Sequence, residues 1–383
     1  MPELKFSNNF QKSITGTWPF EEEYKAILSK PAPKEDFIRI IGSSDGDMFY
    51  HFRLRTPTQQ GFFHLECPIG FIDALWAFLE ALCLGIDFAS FLTEYEGPNA
   101  LLCAKKIDKE NLRITLICDT WLEVDYDKEM FVERCWPDFE PHASIDVVVN
   151  KRHFIYTLYM ALEDIFINDN WDYSSHDLNV SSTEKAQVDS SIVKGYLGYT
   201  SATDKEIVLQ KALFEGTAFD VEKCLKDGAN PNALSPEGEG EFGQTLLEVF
   251  WHKAYGGSPS EEEKFNAVDY FKKNELMSNY GAMPRSTFFI FYTWASWGEE
   301  LRTKVFRMFF EKHCFIRYDF WDFVAFDVRN EGADDWMIYV TMVKDGLWSE
   351  PQRWACFREI EYCKPWHQNL QKQCEALRGK DKI

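Results

Sequence analysis

Histidine and cysteine are the side chains here that most readily do chemistry, as metal ligands, bases or nucleophiles. The eight histidines lie at positions 51, 64, 142, 153, 176, 252, 313 and 367, and no two form H-x-H or H-x-x-x-H. The ten cysteines never form C-x-x-C, and most lie within apolar stretches. These spacings assemble no local ligand set, so we expect no metal, no cofactor and no disulfide framework.

Other local patterns also fail to predict catalysis. Gly238-Glu-Gly240-Glu-Phe-Gly243 matches the dinucleotide-binding pattern G-x-G-x-x-G, but that fingerprint follows a strand and avoids negative charge near the phosphate. Pro236 precedes these glycines and three glutamates surround them, so we interpret the stretch as an acidic turn. His176-Asp177 lies in a serine-rich segment without the preorganisation that catalysis needs. His51 and His64 are interpreted as surface residues of predicted strands.

The densest charged feature runs from Asp119 to Glu140, where eight acidic residues face two basic ones and aromatic residues are interleaved. Alternating carboxylates are typical of a solvated face, which is the first interpretation. The second is a docking surface for a basic protein, because carboxylates beside aromatic anchors suit binding to Lys and Arg. A catalytic or metal site is the third. The candidate partner-binding residues are Trp121, Glu123, Asp125, Asp127 and Trp136.

The composition excludes several classes of protein. The chain has 383 residues, a net charge of −21, and 33 Phe, 16 Tyr and 13 Trp. Such acidity repels nucleic acid and anionic membranes, so we expect a basic protein partner, with no nucleic acid and no membrane. No apolar run reaches the roughly 20 residues of a membrane span, and the N-terminus has no apolar signal core. We expect a cytoplasmic protein.

Alternating apolar and polar residues predict antiparallel strands from residue 37 onwards. Residues 37–41 and 48–54 flank Ser44-Asp45-Gly46-Asp47, which predicts a hairpin. The same patterns predict further strands at 62–67 and 144–149, a second hairpin formed by 100–107 and 112–118, and amphipathic helices at 70–84 and 152–166.

The two predicted helices are similar in sequence at an offset of 83 residues. Corresponding pairs are Phe71-Ile72 with Phe154-Ile155, Leu75 with Leu158, Trp76 with Tyr159, and Leu79-Glu80 with Leu162-Glu163. This similarity predicts an internal duplication, in which two β-β-β-α halves form one α+β domain of antiparallel sheet and helices. Coincidence between two amphipathic helices is the alternative.

The sequence divides into four parts. Residues 1–35 are an irregular N-terminal segment, and residues 36–168 are the α+β domain. Residues 169–203 are polar and serine-rich, which predicts a linker. Residues 204–383 are predicted to be an all-α domain.

The beginning of this last part carries a family motif. Two short helical patterns, 209–216 (LQKALFEG) and 220–227 (DVEKCLKD), precede Gly228-Ala229-Asn-Pro-Asn232. This arrangement resembles the ankyrin repeat. Gly216 and Gly228 lie where helices end and a positive φ is favoured. Ala212, Val221 and Leu225 are placed to face a stacking neighbour.

Later copies are more degenerate, and the resemblance covers about residues 204–315. Thr245-Leu-Leu-Glu248 stands where the repeat usually has T-P-L-H, so the hydrogen bonds of that motif are altered. Residues 267–282 and 304–314 keep the later register. The alternative is an irregular helical domain that contains one similar helix pair.

The ankyrin resemblance implies a helical repeat array and a binding role, because such arrays are scaffolds for protein interaction. In general character the whole chain is also similar to the immunity proteins of bacterial polymorphic toxin systems, which neutralise basic toxins. We therefore expect a non-enzymatic protein-interaction module, and on the second resemblance an immunity protein. The alternatives are a generic adaptor, or an enzyme whose site is assembled from residues distant in sequence.

Overall fold

The computed structural model describes residues 26–27, 29–44, 49–66, 69–92, 99–120, 122–125, 130–133, 142–172, 190–238, 243–256, 266–285 and single positions between 301 and 314. The strands are β1 (Arg39–Ser44), β2 (Phe49–Arg55), β3 (Gln60–Glu66), β4 (Phe88–Leu92), β5 (Asn99–Lys106), β6 (Asn111–Thr120), β7 (Leu122–Asp125), β8 (Met130–Glu133) and β9 (His142–Asn150). The helices are α1 (Ile69–Cys83), α2 (Lys151–Asp172), α3 (Ser191–Leu197), α4 (Asp204–Glu215), α5 (Ala218–Lys226), α6 (Leu246–Gly256) and α7 (Ala267–Asn279).

The chain divides into two compact units. The first comprises residues 1–207 and 230–246, and the second comprises 208–229 and 247–383. The division near residue 207 lies close to the predicted start of the helical domain at 204. The segment 230–246 belongs to the first unit. The sequence-based division, in which each domain is one continuous stretch, did not predict this.

The first sheet contains β1, β2 and β3 in that order, all antiparallel. Ile40, Phe52, Leu54 and Phe63 are at most 1% exposed and form its buried face. The rings of Phe52 and Phe63, which are paired in the ladder, stack with centroids 4.8 Å apart. The pairing of β1 with β2 confirms the predicted hairpin, although its turn, 45–48, lies outside the described residues.

The second sheet has the order β4-β5-β6-β9 and is also antiparallel. The predicted β5–β6 hairpin is confirmed, and Asp108 closes its turn by accepting hydrogen bonds from the backbone of Glu110 and Asn111 at 2.7 and 2.9 Å. Residues 33–35 extend the β9 edge, where the Glu35 N–H donates to the Val148 carbonyl at 2.9 Å. The last part of the predicted irregular N-terminal segment is therefore tied to this sheet.

The two sheets pack face to face through β3. An added Cβ on Gly61 would lie 2.7 Å from Leu116 Cδ2 and 2.8 Å from Ile145 Cγ1, so the backbone approaches β6 and β9 too closely for a side chain. Phe63 contacts Phe91 of β4 edge to face, with centroids 6.3 Å apart. The core of this unit lies between the sheets, and its fold is α+β.

Helices α1 and α2 directly follow the last strands of their sheets, as the sequence predicts. Helix α2 packs on β1, where the Ile40 N–H donates to Thr157 Oγ1 at 3.0 Å, and α1 packs on β4. Each helix therefore packs on the first strand of the other sheet.

The predicted linker, 169–203, is structured wherever it is described. Residues 169–172 continue α2, and residues 191–197 form α3, which packs on α1 and α2. Ser190 Oγ donates to Glu80 Oε1 at 2.5 Å, and Arg152 donates to the Leu197 carbonyl at 2.8 Å. Val193 and Leu197 are fully buried. They are spaced i and i+4, so they lie on the same face of this two-turn helix, and that face packs inward.

The described elements of the second unit are all helical. Trp251 is fully buried and donates from Nε1 to Asn274 Oδ1 at 2.7 Å. Phe250 lies between Phe214 and Tyr270, with ring centroids 6.1 and 5.1 Å away. Across both units, no described helix combines the length and apolar character needed to span a membrane.

Candidate functional site

The predicted partner-binding residues lie around a small antiparallel hairpin, β7–β8. In its ladder Glu123 pairs with Val132 and Asp125 pairs with Met130, so two carboxylates occur two positions apart on one strand. A two-stranded ribbon has little stability of its own. The other three predicted residues, Trp121, Asp127 and Trp136, lie outside the described residues.

At two helices, α4 and α5, a threonine before the helix is hydrogen-bonded to an acidic residue three positions later. Thr217 caps α5 and exchanges hydrogen bonds with Asp220, which is a capping box. At α4 the Thr203 N–H donates to Glu206 Oε2 at 3.0 Å, while the Asn230 N–H donates to Glu206 Oε1 at 2.9 Å. Burial would raise the pKa of Glu206, but these hydrogen bonds lower it below its usual value. Glu206 therefore fastens the loop after α5 to the first turn of α4.

Left-handed glycines end four of the described helices. Gly228 has φ 86° after α5, as the sequence predicts, and Gly85, Gly198 and Gly281 have φ 84°, 91° and 84° after α1, α3 and α7. In each case the N–H of the next residue reaches back to a carbonyl of the last helical turn, at 2.8 to 3.2 Å. These are Schellman-type caps, in which glycine avoids the strain that a side chain would add.

The prediction of a positive φ is wrong for Gly216, whose backbone is not left-handed. An added Cβ would instead lie 3.0 Å from both Cα and the carbonyl oxygen of Ala212. Gly216 is therefore favoured by the close approach of two backbone segments at the α4–α5 turn.

The loops that follow the helices pair with each other through Leu234. Its N–H donates to the Thr200 carbonyl at 2.8 Å, and its carbonyl accepts from Ala202 at 3.1 Å. Leu234 also forms a bridge with Thr245, just before α6. The loop between α3 and α4 and two parts of the segment between α5 and α6 are thus held side by side.

Asp269 and Lys273 of α7 cap the turn between α4 and α5. Asp269 Oδ1 accepts the Ala218 N–H at 2.7 Å at the start of α5. Lys273 Nζ donates to the carbonyls of Leu213 and Gly216 at 3.1 and 2.6 Å, at the end of α4. The two side chains form an ion pair of 3.0 Å, so one i,i+4 pair satisfies both helix termini.

Two large apolar side chains of this unit are exposed at matching positions. Phe219 and Val268 are the second residues of α5 and α7, and each is 73% exposed. The two helices pack against each other, whereas Val221, Leu225 and Met277 of the same helices are buried.

Three groups that could act as nucleophiles or bases have pKa values shifted by burial. Burial raises the pKa of the Cys83 thiol to about 12, so it is protonated and a weak nucleophile at neutral pH. Burial lowers the pKa of Lys151, whose Nζ lies 5.1 Å from the ring centroid of Tyr196. Burial lowers the pKa of His153 to about 4, and a ring nitrogen lies 3.0 Å from the Ile38 carbonyl oxygen. Within the described ranges, no three His, Cys, Asp or Glu residues form a metal-binding cluster.

The histidines at 51 and 64 lie opposite each other in the β2–β3 ladder. Gly42-Ser43-Ser44-Asp45-Gly46 matches the sequence pattern G-x-S-x-G of a nucleophile elbow. A nucleophile elbow needs a strand, a sharp turn and a helix, whereas Ser44 ends β1 and the next described element is the antiparallel strand β2. This match therefore does not predict a catalytic serine.

Sequence reasoning missed the capping box at α5 and the exposed side chains of Phe219 and Val268. The T-x-x-[DE] spacing is a readable signal for the box, whereas exposure of an apolar residue depends on which helix face is covered. Comparison of the chain with protein-family models, with curated proteins and with solved structures finds no match.

Proposed function

We propose that this chain is a non-enzymatic protein-binding module. The observation that carries the proposal is the exposure of Phe219 and Val268, at 73% each, on two adjacent helices. Aromatic and other large apolar anchors contribute most of the binding energy in protein interfaces, and these two side chains are accessible to a partner.

The helical part of the module is proposed to be an ankyrin-like array. Short helices of 12 and 9 residues joined by a tight turn, the left-handed Gly228 and the paired loops at Leu234 support this proposal. In this scheme α4–α5 and α6–α7 are successive copies, and α3 with Gly198 supplies the end of a preceding one. The proposal includes an internal duplication in the α+β domain.

The partner is proposed to be a basic protein. The net charge of −21 attracts positive surfaces, and Glu123 and Asp125 of β7 lie in the most acidic stretch of the sequence. A basic toxin neutralised in the bacterial cytoplasm is the specific form of this proposal, and it rests on the resemblance to immunity proteins.

Affinity capture from the native host, with wild-type and variant chains side by side, tests the proposal. Phe219→Ser should lose the partner because the anchor is removed, while Ile107→Ser, a matched control at a 51% exposed position of the β5–β6 hairpin, should retain it. Reversal of Glu123, Asp125 and Asp127 to Lys should slow association with the isolated partner and flatten its salt dependence.

Retention of every partner by Phe219→Ser and by the triple reversal would contradict the binding proposal. A partner lost only with Phe219→Ser favours the adaptor function of the helical half, because the exposed pair lies there. A partner lost only with the triple reversal assigns recognition to the acidic stretch.

A further inference from the structure

One face of the first sheet concentrates positive charge in this acidic protein. Arg39 of β1 pairs directly with Arg55 of β2, and Arg53 lies two residues before Arg55. Because strand side chains alternate between faces, the three arginines share the face opposite Ile40 and Leu54, which form the core. All three are half-buried.

Within the sheet itself this arrangement is unfavourable. Like charges directly opposite each other in an antiparallel ladder are destabilising. Among the described residues, Nη1 of Arg53 and Nη1 of Arg55 are buried and have no hydrogen-bond partner. Buried donors without partners are rare, and each one calls for an explanation such as a bound ion.

The same unit shows how this chain satisfies a structural arginine. Arg113 of β6 is buried, and its Nε and Nη2 atoms donate to the two carboxylate oxygens of Asp146 at 2.7 and 2.8 Å. Its Nη2 also donates to the Ile27 carbonyl at 2.8 Å. Arg53 and Arg55 have no comparable acceptor within the described part of the chain.

The neighbours of the arginines suit a compact ligand. On β3, Gln60 is opposite Arg55 and Phe62 is opposite Arg53, and the Phe62 ring is 38% exposed. The only acidic residue of the three strands, Glu66, pairs with Phe49 at the far end of the sheet. The face thus offers guanidinium and amide donors beside an apolar ring.

We infer that this face binds a phosphate group, which Arg53 and Arg55 hold with their guanidinium donors and Arg39 supports by its charge. Guanidinium groups match the oxygens of phosphate in geometry, and the two guanidinium groups of Arg53 and Arg55 suit a phosphate dianion better than they suit a single carboxylate. A long polyanion is disfavoured because the remaining charge of the chain repels it, whereas one phosphate feels mainly the charges within about 8–10 Å. The site uses none of the residues on which the proposed function rests, and it goes beyond that function.

The test is a titration of the full chain with inorganic phosphate at constant ionic strength, followed by calorimetry and by thermal unfolding. Wild type should show saturable binding and a rise in melting temperature with phosphate. Arg53→Gln with Arg55→Gln should weaken binding at least about tenfold, since each change removes charge-assisted hydrogen bonds. The matched control, Lys105→Gln with Lys109→Gln, removes the same charge from exposed positions of the same unit and should bind like wild type.

A second variant keeps the inference testable if the variant with Arg53→Gln and Arg55→Gln folds poorly. Arg53→Lys with Arg55→Lys keeps the charge but loses the planar fork, and it should also bind more weakly than wild type. In the absence of phosphate, the variant with Arg53→Gln and Arg55→Gln should melt no lower than wild type, because it reduces both the repulsion and the unpaired donors.

Three results would overturn the inference: no saturable binding by wild type, equal binding by the arginine variants, or binding of succinate as tight as that of phosphate. Tighter binding of a phosphoserine peptide than of inorganic phosphate would assign the phosphate to a phosphorylated protein. Equal binding of the two would assign it to a free phosphate or phosphate ester.

Discussion

Trp76 of α1 and Tyr159 of α2, which occupy corresponding positions of two similar helices, contact each other edge to face with ring centroids 5.6 Å apart. Contact between equivalent positions is what a two-fold arrangement of two halves produces. The packing of each helix on the first strand of the other sheet repeats this relation. Both observations support the proposed duplication.

This contact predicts an order of stability among conservative variants. Trp76 Nε1 is buried without a hydrogen-bond partner among the described residues, so Trp76→Phe should change the free energy of unfolding by less than about 1 kcal/mol. Tyr159→Phe removes the hydroxyl that donates to the buried Glu163 at 2.6 Å and should cost about 1–3 kcal/mol. Urea unfolding measures both, and the reverse order would contradict this account.

Lys273 should be essential to the second unit because it satisfies the end of α4. Lys273→Met keeps most of the side-chain volume but removes both carbonyl contacts and the ion pair with Asp269, at an expected cost of about 3 kcal/mol. Lys211→Met is the control, since its ion pair with Glu215 is exposed and 3.8 Å long, and it should cost less than about 0.5 kcal/mol. Equal melting temperatures for the two variants would refute the capping role.

Two glycine-to-alanine changes should have opposite signs. Gly228→Ala places a side chain at φ 86° and should destabilise by about 1–2 kcal/mol. Gly195→Ala lies inside α3 with open space around the added Cβ, so it should stabilise by about 0.5–1 kcal/mol. Thermal unfolding checks both signs, and a neutral Gly228→Ala would remove the support that this cap gives to the repeat assignment.

His153 predicts a pH dependence of stability. Burial lowers the pKa of His153 from 6.5 to about 4, so between these values the unfolded chain binds more protons than the folded one. Stability should therefore fall as pH decreases from about 6.5 to 4, and for a half-buried ring this amounts to on the order of 2 kcal/mol. Denaturant unfolding of wild type and His153→Gln at pH 7 and pH 5 isolates this part, which the variant should lack. If wild type and His153→Gln lose the same free energy of unfolding between pH 7 and pH 5, the role of His153 is contradicted.

The features that the sequence predicts correctly are those that depend on residues close together in the sequence. Alternation along β9 and the turn at Asp108 are local, and so is the glycine conformation required after α5 at Gly228. The candidate site was less predictable: Glu123 and Asp125 are on a strand, but exposure of Phe219 depends on which neighbour covers α5.

The sequence alone determined the antiparallel hairpins, the two helices that follow the sheets and the acidic character of the chain, because periodicity and charge are local or additive properties. Only the tertiary structure decided that α3 packs where a linker was expected, that Lys273 caps a helix 57 residues earlier, and that Arg39 lies opposite Arg55. These relations join residues distant in sequence, and register and packing fix them through burial and hydrogen bonding that no local pattern encodes.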